Sequence, residues 1–345
     1  MTVPALKAGT SARWAALLSG CKAKKGVGCE CCLRWVLPSR VASTGTGGLR
    51  LSRSISVQLT GGNGVRHLKV ADINARPLVL SETVSVWNVV CRGACRHQSD
   101  EECAVSTHMV FPYRGMYLHH IGRAETVAEA NQVVFMNEDE PYRVSHPIEG
   151  GDSTVSIGLS APTLLELMPA EYRDPKGRAA FNRTRLRIDS HAQAGAAALR
   201  HRLHRGKIEK LEAEVLTLTL LRHVLGGRTS VGAVGSVRRQ KLVDNAKLVM
   251  SSDLGRRWAL ADVAAEVGVS PVYLTQVFQR VEGVPLYRYQ LQLRLARALD
   301  LLGEYDDLTT LAFDLGFSSH SHFSAAFKQA YGQTPLGFQR SARIR

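Results

Sequence analysis

The sequence predicts an α+β multidomain chain, with a strand-rich first part followed by an all-α domain that carries two helix-turn-helix motifs. Three observations support this. Residues 76–160 hold short β-rich runs at roughly 8–12-residue spacing, punctuated by Gly and Pro, as in a sandwich or barrel. Residues 238–342 are helical in pattern almost throughout. Within them, Leu260–Ser270 recurs as Leu308–Ser318 at an offset of 48 residues.

The chain has 345 residues, enough for two domains and a tail. Formal net charge is +14, and residues 1–75 alone carry +9 of it. The stretch 76–236 carries +1 and 237–345 carries +4, so total charge is weak evidence for a nucleic-acid partner. There is no run of 18 apolar residues, so no membrane-spanning helix is expected. The apolar run Trp14–Leu18 is too short for a signal-peptide core, which leaves a cytoplasmic chain as the expectation. Seven cysteines, an odd number, are expected to be reduced thiols.

Residues 1–75, broken by Thr44–Gly48 and Gly61–Gly64, read as a flexible, disordered basic extension. The alternative is an over-extended start whose true first codon is not Met. Strands follow at Ser85–Cys91, Ser106–Phe111, Gly115–Ile121, Gln132–Met136, Pro141–Pro147 and Thr154–Leu159. Helix begins near Pro162, and the apolar rhythm of Leu211, Val215, Leu218, Leu221 and Leu225 predicts a helix suited to a barrel or a second copy of itself. The expected units are a sensor domain at 76–190, a helical dimerisation segment and linker at 191–230, and the helical domain at 238–342.

Each copy of the repeat has the chemistry of a helix-turn-helix. Ala264 and Ala312 are small where a second helix must come close. Gly268 and Gly316 stand where a left-handed residue ends a helix. Val269 and Phe317 plug the angle between the helices, and Ser270 and Ser319 are placed to cap the second helix. Between the copies, a helix of about 18 residues would span about 27 Å. That suits two reading helices in successive major grooves about 34 Å apart.

At this point a resemblance is clear. Asp314–Lys328, with Tyr331-Gly332 and Thr334-Pro335, follows the pattern GF-x-S-x-S-x-F-x-x-x-F-K-x-x-x-G-x-T-P. Residues 238–342 resemble the DNA-binding domain of the AraC/XylS family of transcription regulators. Residues 80–160, with Glu140–Pro147, resemble the cupin-type sensor domains often joined to it, which implies a cupin-like β-barrel. The resemblance implies base-facing positions at Val272, Thr275 and Gln276 and phosphate contacts at Gln279 and Arg280. In the second unit it implies His320, Ser321 and Ser324, with Lys328 as the cation; Ala325 offers only a methyl group. Double-stranded DNA, RNA polymerase, a small-molecule effector and a second copy of the chain are the implied partners. Arg294 and Arg297 on the connecting helix read as solvated or helix-bridging. Val272 has the rival reading of covering the helix junction.

An effector pocket would draw on Tyr113, Arg114, Tyr117, Tyr142, Arg143 and His146; the rival reading has Tyr142 and Arg143 closing a strand end beside Glu138–Glu140. Cys91, Cys95, His97 and Cys103 are metal-capable but lack the two-residue spacing of common zinc sites, and Cys29, Cys31 and Cys32 lie in the extension. Adjacent His119 and His120 point to opposite faces of a strand, so with Glu125 and His146 they do not make a cupin metal set. No cofactor or metal is expected. No Ser-His-Asp elbow, P-loop or G-x-G-x-x-G pattern appears, so the expectation is a non-enzyme.

Overall fold

The computed structural model describes residues 73–93, 96–206, 208–226 and 236–343. The predicted extension therefore lies outside the described residues, except for its last three, which already belong to a strand. The strands are β1 (Ile73–Leu80), β2 (Val84–Cys91), β3 (Glu102–Cys103), β4 (His108–Gly115), β5 (Tyr117–Ile121), β6 (Ala124–Ala128), β7 (Gln132–Met136), β8 (Pro141–Ser145), β9 (Asp152–Leu159) and β10 (Arg185–Arg187). They form a six-stranded sheet, β1-β2-β9-β4-β7-β10, and a four-stranded sheet, β3-β8-β5-β6, with every ladder antiparallel. The two sheets are not joined into one closed barrel. β6 and β7 are consecutive, yet no ladder links them, and this leaves the seam open.

Side-chain alternation divides the large sheet's residues between two cores. Val84, Val86, Met109, Phe111, Val133, Phe135, Val155 and Ile157 point to helices α1 (Ala161–Leu167), α2 (Ser190–His204) and α3 (Lys210–Gly226). The opposite parity, Val110, Val134 and Met136, faces Tyr117 and Tyr142 of the small sheet. The helical segment expected within 191–230 is two helices, α2 and α3, broken where Gly206 takes a φ of +62°. Asp189 caps α2 by accepting from the Ala192 amide at 2.8 Å.

The second half contains α4 (Val237–Ser252), α5 (Leu260–Glu266), α6 (Pro271–Glu282), α7 (Leu286–Leu301), α8 (Leu308–Asp314), α9 (His320–Tyr331) and α10 (Pro335–Arg343). One apolar core forms around α4, α5, α6 and the start of α7. Another forms around the end of α7 with α8, α9 and Phe338 of α10. Each also takes residues from the first half. Met116 and Val127 enter the first core, and Ala197 of α2 enters the second.

Charge ties the halves together as well. Asp300, buried near the end of α7, accepts from Arg114 of β4 (2.9 Å) and Arg200 of α2 (2.9 Å), and also pairs with Arg297. Lys247 of α4 has no exposed side-chain surface. Its ammonium lies 2.6 Å from Glu282 and 3.9 Å from both Asp244 and Glu129, the last a buried residue of the strand-rich half. Arg187 of β10 pairs with Glu282 from the other side.

Candidate nucleic-acid interface

Both repeat copies fold as helix-turn-helix units, and the turns are built alike. In the first, the Val269 amide donates to Ala264 O at 3.0 Å and the Gly268 amide to Ala265 O at 3.1 Å. In the second, Phe317 donates to Ala312 O at 3.0 Å and Gly316 to Phe313 O at 2.8 Å. This paired closure needs a left-handed residue, and Gly268 (φ +71°) and Gly316 (φ +76°) supply it. Ser270 then caps α6 through the Tyr273 amide, and Ser319 caps α9 through the His322 amide.

The two turns differ in their surroundings. A Cβ on Gly268 would meet nothing within 4 Å. One on Gly316 would strike the Gly255 carbonyl and lie 2.8 Å from the Arg294 guanidinium. Gly268→Ala is therefore expected to cost only the left-handed penalty, about 1–2 kcal/mol. Gly316→Ala is expected to lose clearly more, because the second unit must also move off the first. Thermal unfolding of the two variants compares them, and equal losses would refute the steric argument.

α6 and α9 each bury one stripe and expose the other. Leu274, Val277, Phe278 and Val281 are buried on α6; Phe323, Ala326 and Phe327 are buried on α9. Among the sequence-predicted DNA positions, Val272, Gln276, Gln279 and Arg280 are exposed on α6, and His320, Ser321 and Lys328 on α9. Thr275 and Ser324 are half-buried. Val272 is 67% exposed, so it does not cover the helix junction. The Thr275 hydroxyl donates to Pro271 O at 2.6 Å, so its hydrogen is taken up within α6. Ser324 Oγ lies 3.3 Å from His320 Nε2, so those two side chains hold each other at the start of α9.

The connector α7 is 16 residues, about 24 Å at 1.5 Å per residue. Arg294, at its middle, joins the two units. Nε and Nη2 donate to Leu254 O (2.8 Å) and Arg256 O (2.7 Å) ahead of α5, and Nη1 donates to Gly316 O (3.1 Å) in the second turn. Helix-bridging is thus the role Arg294 has.

A recess opens between the two sheets, a cavity of about 80 Å³ lined by Val89, Val110, Met136 and Val144 with Tyr117, Tyr142 and His146. Tyr142 and His146 stand where an effector site was expected, but Tyr113, Arg114 and Arg143 do not. Tyr113 donates to Asn88 Oδ1 at 2.9 Å and lies under the Arg200 guanidinium, and Arg114 is committed to Asp300 and Glu304. Arg143 donates to Ser99 O at 2.9 Å and pairs with Glu101 at 3.6 Å, not with Glu138–Glu140. His119 packs on Tyr142 while His120 meets Ser145 Oγ at 2.9 Å, so the two histidines do face opposite ways. Burial, with the neighbouring His120 and His108, lowers His119 to about 4, so its ring is neutral at pH 7. Cys95 lies outside the described residues. The sequence reading missed Asp152, Glu102 and His108 in this recess, because β9, β3 and β4 bring them together there only through sheet pairing.

A family model described as "Helix-turn-helix domain" matches residues 263–341. The "Uncharacterized HTH-type transcriptional regulator YidL" of Escherichia coli K12 is 34% identical over 99 residues, covering 28% of this chain and 33% of that protein. The "Regulatory protein PocR" of Salmonella typhimurium is 33% identical over 82 residues, 24% of this chain and 27% of that one. The chain thus spans about a third of the length of these curated relatives. A solved AraC-type DNA-binding domain from Chromobacterium violaceum shares 28% identity over 32% of this chain and all of its own, with a TM-score of 0.30. Two capped turns of one design, the exposed faces of α6 and α9, and the family match converge on one conclusion: residues 263–341 are a helix-turn-helix domain.

Proposed function

We propose that this chain is a sequence-specific DNA-binding transcription regulator of the cytoplasm, with no catalytic role of its own, whose strand-rich half responds to a small-molecule effector. The observation that supports it most is the pair of reading helices, α6 and α9, with exposed polar faces and fixed relative placement through Arg294. Gln276 is the residue suited to pair bidentately with adenine, and the Val272 and Thr275 methyl groups suit thymine. Gln279, Arg280, Lys328 and the start of α9 around His320 and Ser321 serve the backbone and the second segment.

The sensor is assigned to residues up to about 190, with the recess bounded by Tyr142 and His146 as the effector's place. An effector there would act by changing the balance of domain arrangements, transmitted through the charged contacts at Asp300 and Lys247. A second copy would dock on α3, where Leu211 is 71% and Val215 53% exposed, four residues apart on one face. RNA polymerase is the partner that such a regulator addresses once on DNA.

Selection from a random duplex pool at about 150 mM salt tests this reading. Wild type is expected to enrich a defined site. Gln276→Ala is expected to relax one position of it, losing about 1–3 kcal/mol of discrimination there. Enrichment of nothing, with binding that falls steeply with salt, would instead mean a sequence-indifferent DNA binder.

A further inference from the structure

The recess between the sheets, where the proposed reading places the effector, holds a cluster of which that reading uses only His146. Cys91, His146 and Asp152 are all buried, and one donor atom from each lies within 4.8 Å of the others. Their assembly follows from the fold. Cys91 on β2 and Asp152 on β9 are direct cross-strand partners, which sets thiol and carboxylate side by side on the inner face. His146 directly follows β8, and a five-residue loop returns the chain to Asp152. That loop is pinned by Gly151, at φ +67° with its Cα against the Cys91 backbone, so a side chain has no room there. His146 Nε2 lies 2.6 Å from an Asp152 oxygen, and its other nitrogen, Nδ1, is buried without a hydrogen-bond partner.

We propose that Cys91, His146 and Asp152 form a binding site for a divalent cation of the zinc class. Thiolate, imidazole and carboxylate are the donors that such an ion takes, at about 2.0–2.3 Å each. The two anionic donors cancel the ion's two charges, so the filled site is neutral, as burial demands. Binding expels the thiol proton and any proton on the imidazole, which makes affinity rise with pH. Three protein donors leave a fourth position, and the recess lies there, walled by Val89, Val110 and Tyr117. The donor set differs from the Cys91–Cys95–Cys103 grouping that sequence proximity suggests. β-sheet register, not spacing, supplies the carboxylate.

The site stands or falls apart from DNA binding. The full chain, stripped of metal and kept reduced, is titrated with Co²⁺ and then with Zn²⁺ against a chromophoric chelator. The expected result is one equivalent of Co²⁺ with a thiolate-to-metal charge-transfer band, displaced by Zn²⁺. Cys91→Ser is expected to abolish the band, and Asp152→Asn and His146→Gln to weaken Zn²⁺ binding more than about 100-fold. Because other cysteines can take metal, Cys103→Ser and a joint Cys29, Cys31 and Cys32 to Ser variant serve as controls and keep the band. Far-UV circular dichroism confirms that each variant is folded, and the near-isosteric Asp152→Asn decides the matter if Cys91→Ser is not. A band that survives Cys91→Ser, or no bound equivalent in folded wild type, overturns the proposal.

Discussion

Lys247→Met is expected to destabilise the folded chain by about 3–5 kcal/mol, the cost of removing one partner from a buried charge cluster. The variant leaves Glu282, Glu129 and Asp244 facing one another without their shared cation. Burial pushes all three carboxyls up, and in Glu129 and Asp244 that effect prevails despite Lys247. In Glu282 the opposing charges of Lys247, Arg187 and Arg185 prevail and hold the group below its ordinary value. A carboxylate held low stabilises the fold above its unfolded-state pKa, and that stability is lost as pH falls through the folded value. Without Lys247, burial raises Glu282 instead, and the sign reverses: folding then becomes less favourable as pH rises through the ordinary carboxylate range. The gap between wild type and Lys247→Met is therefore wider at pH 7 than at pH 5. Urea unfolding at both values measures it, and a gap below about 1 kcal/mol, or one equal at both pH values, would show that the cluster is not what holds the halves together. Lys247→Met combined with Glu282→Leu is expected to recover much of the loss, since an apolar pair replaces an unpaired charge.

Phe327→Ala is expected to cost a further distinct 3–5 kcal/mol, roughly the range for truncating a buried aromatic. Phe327 is fully buried at the centre of the second unit, its ring 5.8 Å from Phe323, 4.7 Å from Tyr331 and 6.1 Å from Phe338. Its loss removes the platform that fixes α9 against α7 and α10. The expected outcome is a lowered melting temperature together with loss of protection over one half of the bound DNA segment. Gln276→Ala, by contrast, is exposed and should leave stability within about 0.5 kcal/mol while changing what is read. A Phe327→Ala variant that melts like wild type would mean α9 is positioned by something else.

The contrast between these two residues marks how far the sequence could be read. Phe327 was legible because a helix-turn-helix is local: glycine, cap and apolar stripe lie within about 25 residues, and the repeat displays them twice. The second helix of each unit, its cap and the exposure of the positions proposed to meet DNA follow from that. Lys247 was not legible, since its partners Glu129 and Glu282 stand over 30 residues away on either side. The same holds for Arg114, which has the composition of a pocket residue but whose partner Asp300 lies on α7. β1, β3, β6 and β10 were missed for a related reason. β3 and β10 are two and three residues long, and β1 is mostly exposed with Pro77 in it, so each is held by its neighbours more than by its own pattern. The break between α2 and α3 was within reach, as Gly206 stands there.

Arg294, bonded to carbonyls of both units, gives the pair of reading helices little freedom to change their spacing. A duplex is not straight and rigid by necessity. Smoothly bending 20–30 base pairs costs of order 1–6 kcal/mol, and the cost depends on the base steps being bent. Where protein cannot adjust to the pitch of the helix, the helix must adjust to the protein. On the proposed DNA-binding reading, flexible pyrimidine–purine steps between the two segments facing α6 and α9 would then become part of the recognised site although no side chain touches them. On that reading, the arginine that locks the protein would pass the work of fitting to the curvature of the DNA.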